Sequence, residues 1–277
     1  VYSLSIVSKS SGKTTEKGLR HSSLSSIKMP NRMYSIISLV SAIGLWIFIS
    51  STEAHIVFAT PSEVFRALKE TFESGKLFVH IWASLSRSLA GFGLAFLCAL
   101  PVAFLMGWYR PCRLILEPWI KFVKSIPPIA YISLVIVAQG VGEGAKVTVI
   151  FIGSFLIMVI NIYQGVKNVD VTLIKAAQVL GAKDFTVFTK VVVPASLPFI
   201  LVGMRLGLAS SLTTLIAAEL TGAQVGLGQM IQEASMYFRM DIVLMGILII
   251  GIIGTLLDKF VTILEGRLTS WQETRNI

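Results

Sequence analysis

Two ionisable side chains lie inside an otherwise apolar stretch, Arg205 and Glu219, and these are the groups best placed to do chemistry. A charge near the centre of a membrane helix costs about 2.5–3.5 kcal/mol, so such groups usually face protein or water and mark solute or ion paths. Fourteen helical residues separate the two by about 21 Å, which rules out a mutual pair. Arg205, near one end of its run, is long enough to snorkel to the headgroups. Glu219, just before Thr221-Gly222, reads either as a pathway or gate residue or as an exposed carboxylate at a helix end. The other reactive side chains form no constellation. His21, His55 and His80 lack metal-ligand spacing and read as exposed bystanders, and Cys98 and Cys112 imply no disulfide framework. Gly12-Lys13-Thr14-Thr15 imitates the end of a phosphate-binding loop, but Val7 stands where that motif needs its first glycine. Gly140, Gly142 and Gly144 are too few and badly spaced for a dinucleotide fingerprint and read as a tight turn. With no paired carboxylates and no Ser-His-Asp arrangement, the chain is not expected to be an enzyme, to bind a metal or to hold a cofactor of its own.

The elements that carry these residues are membrane helices. The chain has 277 residues, 54% hydrophobic and only 14% charged, with a mean hydropathy of +0.78. A soluble chain is usually about a quarter charged. The expected fold is all-α and polytopic, with six transmembrane helices near 33–50, 88–108, 127–140, 147–164, 197–218 and 242–262. The third is short and follows Pro127-Pro128. The amphipathic piece Leu114 to Val123 would extend it as a helix broken by the prolines, which makes Pro127 and Pro128 either a pathway wall or a plain helix start. The formal charge of +9 carries no aromatic interleaving and no nucleic-acid motif, so no nucleic-acid partner is expected; the basic residues are topology signals. With the N-terminus inside, seventeen Lys and Arg fall on the cytoplasmic side and six outside, namely Arg66, Lys69, Lys76, Arg87, Lys146 and Arg239. Both termini are therefore expected in the cytoplasm, on a multi-pass membrane protein.

Between spans, Thr60-Pro61-Ser62-Glu63 is a capping box with proline at the first helical position, and Val64, Phe65, Leu68 and Phe72 share one face. That predicts an amphipathic helix on the outer membrane face, serving as scaffold or as docking surface. In the fifth span, Gly203, Gly207 and Ser211 at four-residue steps allow close helix approach, within one subunit or between two. Ser210, Ser211, Thr213 and Thr214 are candidates for the pathway lining.

The most patterned polar stretch is 170–198. Asp170 is a good N-cap, Leu173, Ala177 and Leu180 share a face, and Gly181 supplies a left-handed stop. A second helix starts at Asp184, with Phe185, Phe188 and Val192 on one side, and Pro194 is expected to close it. The prediction is a cytoplasmic helix-turn-helix. The overall division expected is a disordered basic tail over 1–32, with Met29 or Met33 serving as well as Val1 for a start, a first span and outer helix over 33–80, a domain of the remaining spans over 81–265 and a tail over 266–277.

Ala176, Ala177, Gly181, Val191, Val193 and Pro194 sit at the spacing of the EAA loop of ABC importer permeases, with Lys175 where that family has its glutamate. From about Pro61 to Arg267 the chain resembles the nitrate, sulfonate and taurine type of that family. The stretches that carry the likeness include HIWASLSRSLAGFGLA, KSIPPIAYISLVIVAQGVGEGAK, LPFILVGMRLGLASSLTTLIAAELTGA and GLGQMIQEA. The resemblance implies the type I importer transmembrane fold and a permease subunit for a small anion, paired with a second copy, two separate ATP-binding subunits and an extracytoplasmic solute-binding protein. ATP is then bound by the partner subunits. Leu173, Lys175, Ala176, Ala177, Leu180, Gly181 and Pro194 become the coupling loop that meets the ATPase. The alternatives are a permease for a thiamine precursor or other small heterocycle, and an ion-coupled secondary transporter, for which the chain offers little by way of midplane ionisable groups or repeated halves.

Overall fold

The structure, a computed structural model, describes residues 31–52 and 58–269. The tail expected over 1–32, save its last two residues, lies outside them, as do Gly12-Thr15, His21, His55 and the chain beyond 269. The chain divides into two units, Val1–Leu45 and Trp46–Ile277. Of the first, the described residues form the opening of α1 (Asn31–Ser50), whose apolar part begins at Ile36.

The second unit is a succession of helices, with no strand among the described residues: α2 (Pro61–Glu73), α3 (Lys76–Trp108), α4 (Arg110–Lys124), α5 (Pro128–Gln139), α6 (Glu143–Lys167), α7 (Val171–Val179), α8 (Asp184–Val187), α9 (Val193–Leu220), α10 (Leu227–Met236) and α11 (Met240–Leu268). The capping box of α2 forms as predicted, the Glu63 carboxylate accepting from the Thr60 amide at 2.7 Å and the Thr60 hydroxyl from the Glu63 amide at 3.4 Å. Its apolar stripe is divided, however. Val64 and Ala67 are buried among Leu227, Met230 and Met245, whereas Phe65 and Phe72 stay exposed.

The centre of the unit is α6, packed along both α3 and α9. A stripe of Ala95, Ala99 and Ala103 at four-residue steps lets α3 approach Met158, Val159 and Ile162 of α6 closely. The small face of α9 is used in the same way. A side chain at Gly203 or Gly207 would run into Ile162 or Met158, so this face packs on α6 within one chain.

Among the described residues, four helices are long and apolar enough to cross a membrane by themselves: α3, α6, the run from Asp184 to Leu220, and α11. The expected count of six differs in two places. The apolar part of α1, Ile36–Ser50, is short, and the third expected span is only the 12-residue α5, which at ~1.5 Å per residue cannot cover a ~30 Å core. Instead of extending α5, α4 is bent 99° away from it. Pro128 is the first residue of α5, and Pro127 before it is in extended conformation. The prolines are thus a helix start and an irregular break at once. A further difference is α3, which begins at Lys76 rather than near 88. Ser84, Arg87 and Ser88 lower the local hydropathy, but they point into the protein and the helix runs through them.

Candidate functional site

Chemistry gathers at the end of the bundle where α3 and α6 begin and α9 finishes. Glu219, the penultimate residue of α9, has 0% of its surface accessible, which corrects the reading of an exposed helix-end carboxylate. Its oxygens accept from the Ser84 hydroxyl at 2.7 and 2.9 Å, from Nη1 of Arg87 at 2.8 Å and from the Gly228 amide at 2.8 Å. Burying a carboxylate is tolerable only with such charge-assisted partners. Nη1 of Arg87 also donates to the Val225 carbonyl at 2.6 Å. The other edge of this guanidinium holds Glu143, the first residue of α6, through Nε and, at 2.9 Å, through Nη2. Lys146 Nζ donates to the same carboxylate at 2.8 Å. Arg87 and Lys146 are both buried, so two of the six cations counted as external topology signals are instead internal partners.

The segment between α9 and α10 is folded over this cluster. Gly226 has φ +150, and a side chain there would strike the Glu219 carboxylate, so glycine is required by the backbone and by the close approach. The Leu227 amide donates to Ser84 Oγ at 2.8 Å. His80, expected as a bystander, is half-buried with Nδ1 2.9 Å from the Gly226 carbonyl and 3.0 Å from its amide. Beside it opens a cleft of about 640 Å³, lined in part by Glu70, Lys76, Glu233 and Arg239.

Farther along α9, Arg205 does not snorkel freely. It reaches α11, with Nε 3.1 Å from Asp258 and Nη2 2.7 Å from both Glu265 and Thr262 Oγ1. The four hydroxyl candidates divide between two faces. Ser211 is buried, 3.0 Å from Ser88 Oγ, and the buried Thr214 packs its methyl on Gly153. Ser210 is half-buried and Thr213 exposed.

At the opposite end, α7 starts where Asp170 caps the Thr172 amide at 2.8 Å. That hydrogen bond holds the Asp170 carboxyl below the usual carboxylate range. The helix ends in a Schellman motif: the Ala182 amide donates to Ala177 O at 3.0 Å and the Gly181 amide to Gln178 O at 2.9 Å, with Gly181 at φ +82. No residue of α7 is buried. Leu173, Lys175, Ala176, Leu180 and Gly181 are exposed and Ala177 is half-buried; Val179 and Leu180 are each 87% accessible and Phe185 is 77%. An apolar hairpin tip of this kind is unusual on a surface with nothing to meet.

The second arm of the hairpin does not end at Pro194. Helix α8, a π-helical turn over Phe188–Val192 and α9 form one continuous rod from Asp184 to Leu220. Proline lacks the amide that would continue the ladder, and the π turn just before it shifts the hydrogen-bond register, so Pro194 sits in the first turn of α9 without breaking the rod. Phe188 locks this turn to the end of α3, edge-on to Phe104 at 5.3 Å and to Trp108 at 5.5 Å.

The sequence reading found Glu219 and the hairpin but not Arg87, Glu143, Lys146 or Ser84 as a cluster. A signal was present. Arg87 and Lys146 immediately precede two expected spans and Glu219 immediately follows a third, all on the same side, so they had to lie at one depth.

Comparison with known proteins agrees with this architecture. Residues 91–270 match the model of the family described as binding-protein-dependent transport system inner membrane component. The chain is 46% identical over 239 residues to a probable ABC transporter permease of Brucella abortus, covering 86% of this chain and 95% of that one. It is 40% identical over 200 residues to the taurine transport system permease protein of Escherichia coli, covering 72% and 73%. Among solved structures, an amino acid ABC transporter superposes with a TM-score of 0.61 at 18% identity, over 72% of this chain and 97% of that chain, a likeness of fold.

Proposed function

We propose, from the premise that this chain belongs to the family of binding-protein-dependent transport system inner membrane components, that it is the pathway-forming subunit of an importer for a small oxyanion of the taurine, sulfonate or nitrate class. It is an ABC importer permease, a transport subunit and not an enzyme, and the ATPase is a separate subunit. The observation that carries the mechanism is the unbroken rod from Asp184 to Leu220, which joins an exposed apolar hairpin to the buried ion cluster at the far end.

In this reading two copies of the chain pair in the inner membrane, α1 and the α4–α5 pair complete six crossings, and residues 81–265 form the permease domain. The hairpin end faces the cytoplasm. Without the buried Arg87 and Lys146 the cation count is seventeen against four, which favours that orientation, with both termini inside. Leu173, Lys175, Ala176, Ala177, Leu180 and Gly181 meet one of two ATP-binding subunits, and Pro194 sits where the hairpin joins the span. ATP stays on those partners. When the ATPase pair closes, the hairpin is carried with it and the Asp184–Leu220 rod tilts, exchanging outer for inner access. The pathway passes Pro127, Pro128, Ser210 and Thr213, with Ser211, Thr214 and Glu219 bracing its wall from behind. An extracytoplasmic binding protein delivers the solute at the Glu143 end.

The test is reconstitution of this chain with its ATPase and binding protein in liposomes. ATP-dependent accumulation of taurine or an alkanesulfonate is expected. Uptake that proceeds without ATP, or by this chain alone, would overturn the reading in favour of an ion-coupled transporter.

A further inference from the structure

We propose that Arg87 and Lys146 form an oxyanion-binding site at the solute entrance, which Glu143 fills in this conformation and which the transported anion takes by displacing that carboxylate. The inference rests on the importer reading for the class of solute and adds where on the chain the solute first binds.

Three observations carry it. The first is the geometry of the clamp. One Glu143 oxygen accepts from Arg87 Nε, and the other from Arg87 Nη2 at 2.9 Å and Lys146 Nζ at 2.8 Å. A carboxylate presents two oxygens to the edge of a guanidinium, and a bicarbonate, nitrate or sulfonate presents the same pair, so the side chain already displays the contacts a free oxyanion would make. The second is the order of burial. The Arg87 and Lys146 side chains are 8% and 9% accessible whereas that of Glu143 is 63%, so the carboxylate is the outermost member. It can swing into water at little desolvation cost, leaving two nearly buried cations facing the entrance. Arg87 keeps Glu219 and the Val225 carbonyl throughout, so the site stays folded while its occupant changes. The third is the location at the start of α6, whose N-cap Gly142 offers no side chain to the first amides, so the helix adds positive potential where the anion would sit.

A tethered competitor at high effective concentration makes the free anion bind weakly. Weak binding suits a residue on a transport path, where a solute must enter and also leave. Exchange also discriminates by the group presented: a solute without an oxyanionic group gains nothing from displacing Glu143, whereas a zwitterion that carries a sulfonate does.

The experiment is a titration of the full chain in lipid nanodiscs with sodium ethanesulfonate against sodium chloride at equal ionic strength, following the thermal unfolding midpoint. Wild type is expected to respond only at high sulfonate concentration. In Glu143→Ala the clamp is vacant, and the concentration for half-maximal stabilisation should fall about tenfold or more. Adding Lys146→Met to that variant should remove most of the gain, and Glu143→Gln, which keeps the shape of the side chain, should lie between wild type and Glu143→Ala. Equal titrations for wild type and Glu143→Ala, or equal responses to sulfonate and chloride, would overturn the site. Failure of the wild-type reconstituted importer to accumulate any anion, with these titrations as expected, would instead overturn the assignment of the solute.

Discussion

The pairing of Arg87 with Glu219 is worth most as a constraint on what either residue can become alone. Each side chain is buried, and each satisfies backbone groups of the 221–228 segment as well as its partner. Removing one member of a buried pair typically costs about 3–5 kcal/mol because the other charge is stranded, whereas replacing both by apolar groups is often near neutral. Glu219→Ala is therefore expected to lower the unfolding midpoint in detergent severely, and Arg87→Met with Glu219→Leu to lower it by much less than the two single changes summed. Additive losses would mean that the two charges act independently. At this scale the sequence left Glu219 between a pathway or gate residue and an exposed helix-end carboxylate; its burial, and the residue that answers it, come from two side chains 132 positions apart brought to one depth.

The hairpin is the element whose shape was most legible. Asp170 as cap, Gly181 as left-handed stop and the apolar positions of α7 follow from local chemistry, because capping and φ preference act over four or five residues. The end of its second arm was misread for an equally local reason: proline usually terminates a helix, and only a π turn buttressed by Phe104 and Trp108 of α3 lets the rod run through Pro194. That rigid joint yields a prediction about coupling. Gly181→Pro, which cannot adopt φ +82, and Ala177→Asp, which places a charge at a half-buried position of the apolar hairpin, should leave the protein inserted. In the reconstituted importer both should separate ATP hydrolysis from uptake. Transport assayed beside hydrolysis decides it; normal uptake with solute-stimulated hydrolysis in both variants would show that the hairpin is not the handle.

For the molecule as a whole, the orientation can be read directly by labelling single cysteines in a chain lacking Cys98 and Cys112, both free thiols. Lys175→Cys is expected to react with an impermeant maleimide only from the cytoplasmic side, and Glu73→Cys only from outside. The reverse pattern would put the hairpin beyond the reach of an ATPase. The sequence by itself determined the class of molecule, the apolar runs, the caps and the patterned hairpin, since hydropathy and local backbone preference need no distant partner. Tertiary structure alone decided that α4 turns 99° away from α5, that the small face of α9 packs on α6, and that Arg87, Lys146, Glu143 and Glu219 make one cluster. The reason is physical: a charge flanking an apolar run looks the same in sequence whether it faces water or protein, and only the packing of other helices around it sets which of the two it meets.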